Sequence, residues 1–174
     1  KNGDRQLRSK IAKLRWIERK EEKEKVGALV ESAQKVWFRS RKLTEELVFW
    51  LRRDIDQIEK KAKSGVIMLN NFNKRLAQFA GDEFKEVDQR AERDKEWLLK
   101  SPGVGVLMTE NDDGKNWVET GRKYQYLALW ATSLGMQMGF FNSVVELPRK
   151  RAQLALALDE TKWPQLLFRI GYGK

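Results

Sequence analysis

Two side chains that carry much of enzyme chemistry are missing: the 174 residues include no histidine and no cysteine. Without imidazole there is no ordinary general base near neutral pH, no histidine metal ligand and no Ser-His-Asp arrangement. Without thiols there are no disulfides, thiolate metal sites or cysteine nucleophiles. Chemistry is left to carboxylates, lysine, tyrosine or a bound cofactor. Asp112 and Asp113 form an acidic pair in a loop, which reads as a helix cap rather than a metal site. Gly103-Val104-Gly105 reads as a turn. Walker A, GxGxxG and EF-hand patterns are all absent from the sequence.

The net charge is +10, and the excess is uneven. Residues 1–100 hold 26 Lys and Arg against 18 Asp and Glu, whereas residues 101–174 hold 9 against 7. A basic balance favours anionic partners such as phosphate cofactors, nucleic acid or an acidic membrane surface. In residues 1–63 the cations interleave with Trp16, Trp37, Phe38 and Trp50, which suits nucleic acid. The acids are mixed with the bases, however, and no RNP, KH, zinc or helix-turn-helix signature accompanies them. A solvated helical surface is the better reading, and nucleic acid the weaker one. No apolar run approaches the roughly 20 residues that span a bilayer. No signal-peptide stretch is visible at the start. The expectation is a cytoplasmic protein with no membrane partner.

The elements that must position any site follow from periodicity. Leu7, Ile11, Leu14 and Ile17 recur at helical spacing, as do Val26, Leu29, Val30 and Ala33. This predicts two helices over residues 5–35, broken near Lys20–Glu22. Further helices are expected over 43–60, capped by Thr44 and striped by Leu47, Val48, Leu51, Ile55 and Ile58, and over 66–80 and 82–98. The texture changes at Ser101-Pro102-Gly103. A buried strand is expected over 104–109, then a loop, then a helix over Trp117–Leu134 ended by Gly135. The predicted inner face of that helix is Val118, Gly121, Leu127, Ala128, Ala131 and Leu134. A strand or extended segment over 138–145 follows. Pro148 opens a helix through Leu158, Trp163-Pro164 is a break, and Gln165–Tyr172 is a final strand. The order β-loop-α-β-α-β over residues 104–172 favours an α/β or α+β sheet domain, and 41% hydrophobic residues with seven Trp support one folded domain over 1–174.

The C-terminal order of elements carries a resemblance. Gly121, Gln125, Leu129, Ala131 and Gly135 resemble the G-x-x-x-Q-x-x-L-L-x-A-x-x-x-G helix of nitroreductase-like FMN-binding oxidoreductases. Phe140-Phe141-Asn142 with Val145-Glu146-Leu147-Pro148 is similar to the family's next segment. Pro164, Leu167, Arg169, Gly171 and Tyr172 match its closing P-x-x-L-x-R-x-G-Y strand. Arg41 to Arg52 is similar, slightly shifted, to an R-x-x-x-E-L-x-x-W-L-R segment of the Acg-like branch. Ile11–Arg19 is more loosely similar to the family's opening helix, whose basic residues meet the FMN phosphate. Trp16 and Ile17 replace small polar residues there, and the family's first strand and flavin-contacting loop after residue 35 are either reduced here or omitted from this stretch of sequence. The family's C-terminal tail is not represented in the sequence.

The resemblance implies a mostly antiparallel central sheet flanked by helices, and a homodimer. It also implies FMN as cofactor, NAD(P)H as electron donor and a small-molecule electron acceptor such as a nitro compound or quinone. Catalysis would need no protein acid or base. The residues implied against the flavin are Gly139, Phe140, Phe141 and Asn142, with Arg15, Arg19 and Arg169 offering cations to the phosphate. Flavin storage without ready turnover is the alternative, because some Acg-like relatives bind flavin in that way.

Overall fold

A four-stranded antiparallel sheet is built around the apolar segments at 103–109 and 163–172. In the computed structural model, which describes residues 11–52, 66–67 and 84–172, its strands are β1 (Ala12–Trp16), β4 (Gly103–Thr109), β5 (Met136–Phe140) and β6 (Trp163–Tyr172). Their order is β1-β4-β6-β5. Every residue of β4 from Val104 to Thr109 is buried, as expected of an inner strand covered on both faces. The chain divides into two compact units, residues 1–33 with 91–174, and residues 34–90.

The first unit holds the sheet. On one face, Val104, Val106, Met108 and Leu167 pack with Val26 and Val30 of α1 (Lys20–Arg39) and Leu98 of α3 (Phe84–Lys100). Val144 of α5 (Ser143–Glu146) and Leu154 of α6 (Pro148–Ala157) complete that core. On the other face, Leu107 and Phe168 meet Leu127 of α4 (Gly114–Ser133), with Leu14, Tyr124 and Met138 around them. Asp113 caps α4 by accepting the Asn116 backbone N–H at 2.9 Å, which satisfies one of the free amides of the first turn. Gly135 ends the helix at φ 72°, a left-handed conformation natural to glycine.

The second unit holds α2 (Arg41–Trp50) and a short parallel pair, β2 (Leu51–Arg52) with β3 (Val66–Ile67). Within it Arg39 binds Asp88 at 3.0 Å, and the Arg90 guanidinium lies 4.8 Å from the Phe38 ring centre.

Several expectations are corrected. The helix expected around Ile11–Ile17 is strand β1, because Ala12, Leu14 and Trp16 alternate and pair with Thr109, Leu107 and Gly105. Four apolar residues at spacings of three and four did not separate the two periods. Lys20–Glu22 is the first turn of α1 rather than a break; Glu21 and Glu22 suit the positive end of a helix. The helix expected over 43–60 gives way to strand at Leu51, and residues 66–67 are strand instead of helix start. The rest of those two expected helices lies outside the described residues. The segment over 138–145 is strand only to Phe140, then a short helix. Pro164 lies inside β6 instead of breaking it. It sits where the pairing with β4 shifts between Leu107 and Met108, and such an irregularity tolerates a residue with no N–H.

The inner face of α4 is also corrected. The side chains toward the sheet are Asn116, Thr120, Lys123, Leu127 and Ala131, while Val118, Gly121 and Leu134 are exposed. Polar groups are tolerated inside because each finds a partner. Thr120 Oγ1 donates to the Asn116 carbonyl at 2.8 Å, and Lys123 Nζ to the Ala12 carbonyl at 2.6 Å. Burial pushes the Lys123 pKa down.

Candidate functional site

Arg15 and Arg19 are brought together, but by a carboxylate. Arg15 projects from β1 on the face of its partner Val106, where Glu22 of α1 meets it. Arg15 donates to Glu22 through both terminal nitrogens, at 2.7 and 3.3 Å, and Arg19 also donates to Glu22. Arg15 Nε lies 3.6 Å from Glu160. Glu22 is buried, and its pKa is lowered chiefly by hydrogen bonds from Arg15 and then from Arg19. Two cations thus face two carboxylates, and the cluster offers little unmatched charge to a phosphate.

The other predicted residues lie toward the far edge of the sheet. Gly139 of β5 pairs with Arg169 of β6. The pairing is close enough that a Cβ on residue 139 would stand 3.1 Å from Arg169 Nε. The bare glycine lets the guanidinium lie across the strand. Arg169 also lies 5.0 Å from the Trp97 ring centre, a cation–π distance. These three residues line a cleft of about 530 Å³ with Lys100, Gln137 and Tyr172. That volume is ordinary for a small-molecule site.

Successive residues of a strand point to opposite faces. Phe140 therefore turns away from Gly139 and stacks on Tyr124, with ring centres 4.5 Å apart. Phe141 is a core residue, buried among α5 and α6 side chains, with its N–H bonded to the Leu167 carbonyl at 3.0 Å. Asn142 Oδ1 is buried without a hydrogen-bond partner among the described residues. The structure brings Gly139 and Arg169 together and leaves Arg15, with Arg19 beside it, two strands from Arg169 and three from Gly139, about 10 and 14 Å at the usual interstrand spacing.

Sequence reasoning missed Trp97, Lys100 and Tyr172. A usable signal existed in the Trp97 to Lys100 turn, where an aromatic and a cation lie three apart just before the Pro102-Gly103 corner. Lys100 Nζ is held by Glu96 at 2.9 Å. Among the described residues there is no cluster of acids able to hold a metal ion, and no helix long and apolar enough to cross a membrane.

No family model matches the chain, and no curated protein matches it. Among solved structures it is similar to the FMN-dependent nitroreductase NfnB from Mycobacterium smegmatis, determined in complex with NADPH. The TM-score is 0.56 at 15% identity, over 95% of this chain and 70% of that one. The fold is nitroreductase-like. At this identity the likeness concerns the α+β architecture, not the chemistry of the neighbour. The nitroreductase-like sheet is what sets Gly139 against Arg169, through the antiparallel pairing of β5 with β6.

Proposed function

We propose that the chain is an FMN-binding oxidoreductase of nitroreductase type, which takes electrons from NAD(P)H and passes them to nitro compounds, quinones or similar acceptors. The carrying observation is the cleft in which Gly139, Arg169 and Trp97 converge. It fits the group: a flavin phosphate needs a fixed cation, and a flavin ring needs a flat apolar wall and close backbone. Arg169 supplies the fork of donors, Trp97 and Tyr172 the aromatic surface, and Gly139 the bare strand. Arg15 and Arg19 remain with Glu22 and brace the start of α1. FMN, when bound, supplies the two-electron transfer. The protein's own task is to orient it and exclude water, which a chain lacking histidine and cysteine can do.

A homodimer belongs to the same proposal. The outer face of α4 presents Trp117, Val118, Gly121, Gln125, Leu129 and Thr132, with Lys115 and Arg122 along one border. Trp117, Val118 and Leu129 are each more than half exposed. An exposed apolar patch with a charged border supports an interface reading. Leu129→Glu should convert a sedimenting dimer to monomer. Phe49 and Trp50, which add apolar surface beside the stripe of α2 in the sequence, have side chains outside the described ones.

The decisive experiment is a visible absorption spectrum of the purified protein after addition of FMN and gel filtration. A retained yellow chromophore that NADPH bleaches is the expected result. Retention without bleaching selects storage, and no retention overturns the proposal. Nucleic acid is disfavoured, because Arg15, Arg19, Arg39, Arg41, Lys95 and Arg122 each have a carboxylate partner.

A further inference from the structure

Strand β6 ends between two neighbouring hollows. Pro102, Ile170, Gly171 and Tyr172 border both. The hollow beyond the Gly139–Arg169 cleft measures about 600 Å³, and its walls include Trp16, Trp130 and Ile170, with Lys23 and Glu18 also lining it. Trp16, Trp130 and Tyr172 are all exposed, although each is a large aromatic. Their convergence on one concavity distinguishes them from scattered surface residues.

Three features prepare this hollow for a flat molecule. Trp16 is held edge-on by Phe168, with ring centres 5.8 Å apart and planes at 74°. Its orientation is therefore set before anything binds. The backbone beneath is bare at Gly103, where a Cβ would fall 2.7 Å from the Ile170 side chain and 3.5 Å from the Trp16 ring. Lys23 Nζ is anchored on the Ser101 carbonyl at 2.5 Å. An ammonium has three donors, so two remain for a ligand. Burial lowers its pKa, consistent with a partly enclosed position. Glu18 is exposed, and water screens its charge.

We propose that this second cleft binds a planar aromatic molecule of two or more fused rings bearing an oxygen acceptor, its rings against Trp16 and Trp130 and its oxygen toward Lys23. The site adjoins the cofactor reading at Tyr172 but is distinct from it, because Gly139, Arg169, Trp97 and Lys100 take no part in it.

The test is calorimetric titration of the full chain with β-naphthoate, which has the shape and the acceptor but is not a flavin. Wild-type protein should bind it with or without saturating FMN. Trp130→Ala and Lys23→Ala should each weaken binding by about tenfold, the scale of one lost aromatic stack or charge-assisted bond. Trp130→Phe, which keeps a ring, should fall between. Arg169→Ala should leave the affinity within about twofold of wild type, well below the 1.4 kcal/mol of a tenfold change. Absence of binding, unchanged affinity in both the Trp130 and Lys23 variants, or one-for-one displacement by FMN would overturn the proposal. Naphthoate binding in a protein that retains no FMN would instead remove only the cofactor reading.

Discussion

Arg15 and Arg169 lie on the same face of one sheet, two strands apart, and meet different surroundings. Arg15 is clasped by Glu22 and approached by Glu160. Arg169 crosses a glycine and lies over the Trp97 ring, with no carboxylate partner among the described residues. A guanidinium matched by carboxylates organises the chain around it. One placed over a ring keeps its positive charge for an incoming anion. The type of neighbour, rather than the arginine itself, separates a structural cation from a binding one.

Glu22→Ala should separate the two arginines' roles most strongly. It leaves two guanidinium groups together at the positive end of α1, and removing one member of a buried pair costs about 3 kcal/mol. Urea unfolding should show that loss, while the folded fraction binds FMN as before. Unchanged stability would mean that the cluster organises nothing. Arg169→Ala should do the reverse. FMN affinity should fall about ten- to a hundredfold, the equivalent of one charge-assisted hydrogen bond, with little change in unfolding midpoint. If the stability falls and the affinity does not, the assignments are exchanged.

Acid provides a third, smaller test. Glu22 is held below its ordinary pKa by Arg15 and then Arg19. Asp112 is held far below the usual carboxylate range by Arg151 first and then by Trp117. Both folded-state values lie under the unfolded ones. Their stabilisation is therefore fully present above the ordinary carboxylate range and fades as pH falls below about 4. Asp112→Asn should be less stable than wild type at neutral pH and lose less on acidification; parallel profiles would contradict this. The smallest effect belongs to Arg19→Ala. Its side chain is 70% exposed, so the unfolding midpoint should barely move and FMN affinity should be unchanged. A tenfold loss of FMN would return Arg19 to the binding site.

The sheet's later strands were legible because β4 and β6 are short apolar runs bounded by turn residues, and α4 because Asp113 and Gly135 mark its ends. Strand β1 was hidden because its pairing with β4 spans some ninety residues of sequence, and local spacing alone suggested a helix. The inner face of α4 was misread for a different reason. Hydrophobicity ranks Lys123 and Thr120 as outward residues, but their hydrogen bonds to Ala12 and Asn116 make burial tolerable. Of the candidate site, Gly139 and Arg169 could be named, but their apposition could not. It depends on the register of β5 with β6, which also sends Phe140 to the opposite face.

Among the described residues the strand order gives the sheet two outer edges, and they are defended unequally. Exposed edge strands are templates on which a foreign chain can add, and proteins blunt them with charge. Along β1 stand Lys13 and Arg15, and the Ala12 carbonyl is already taken by Lys123. Along β5 the residues are Met136, Gln137, Met138, Gly139 and Phe140, without a single charge. Should this protein misassemble when concentrated or warmed, growth is therefore directed to the β5 side, and a lysine at Gln137 is the natural gatekeeper against it.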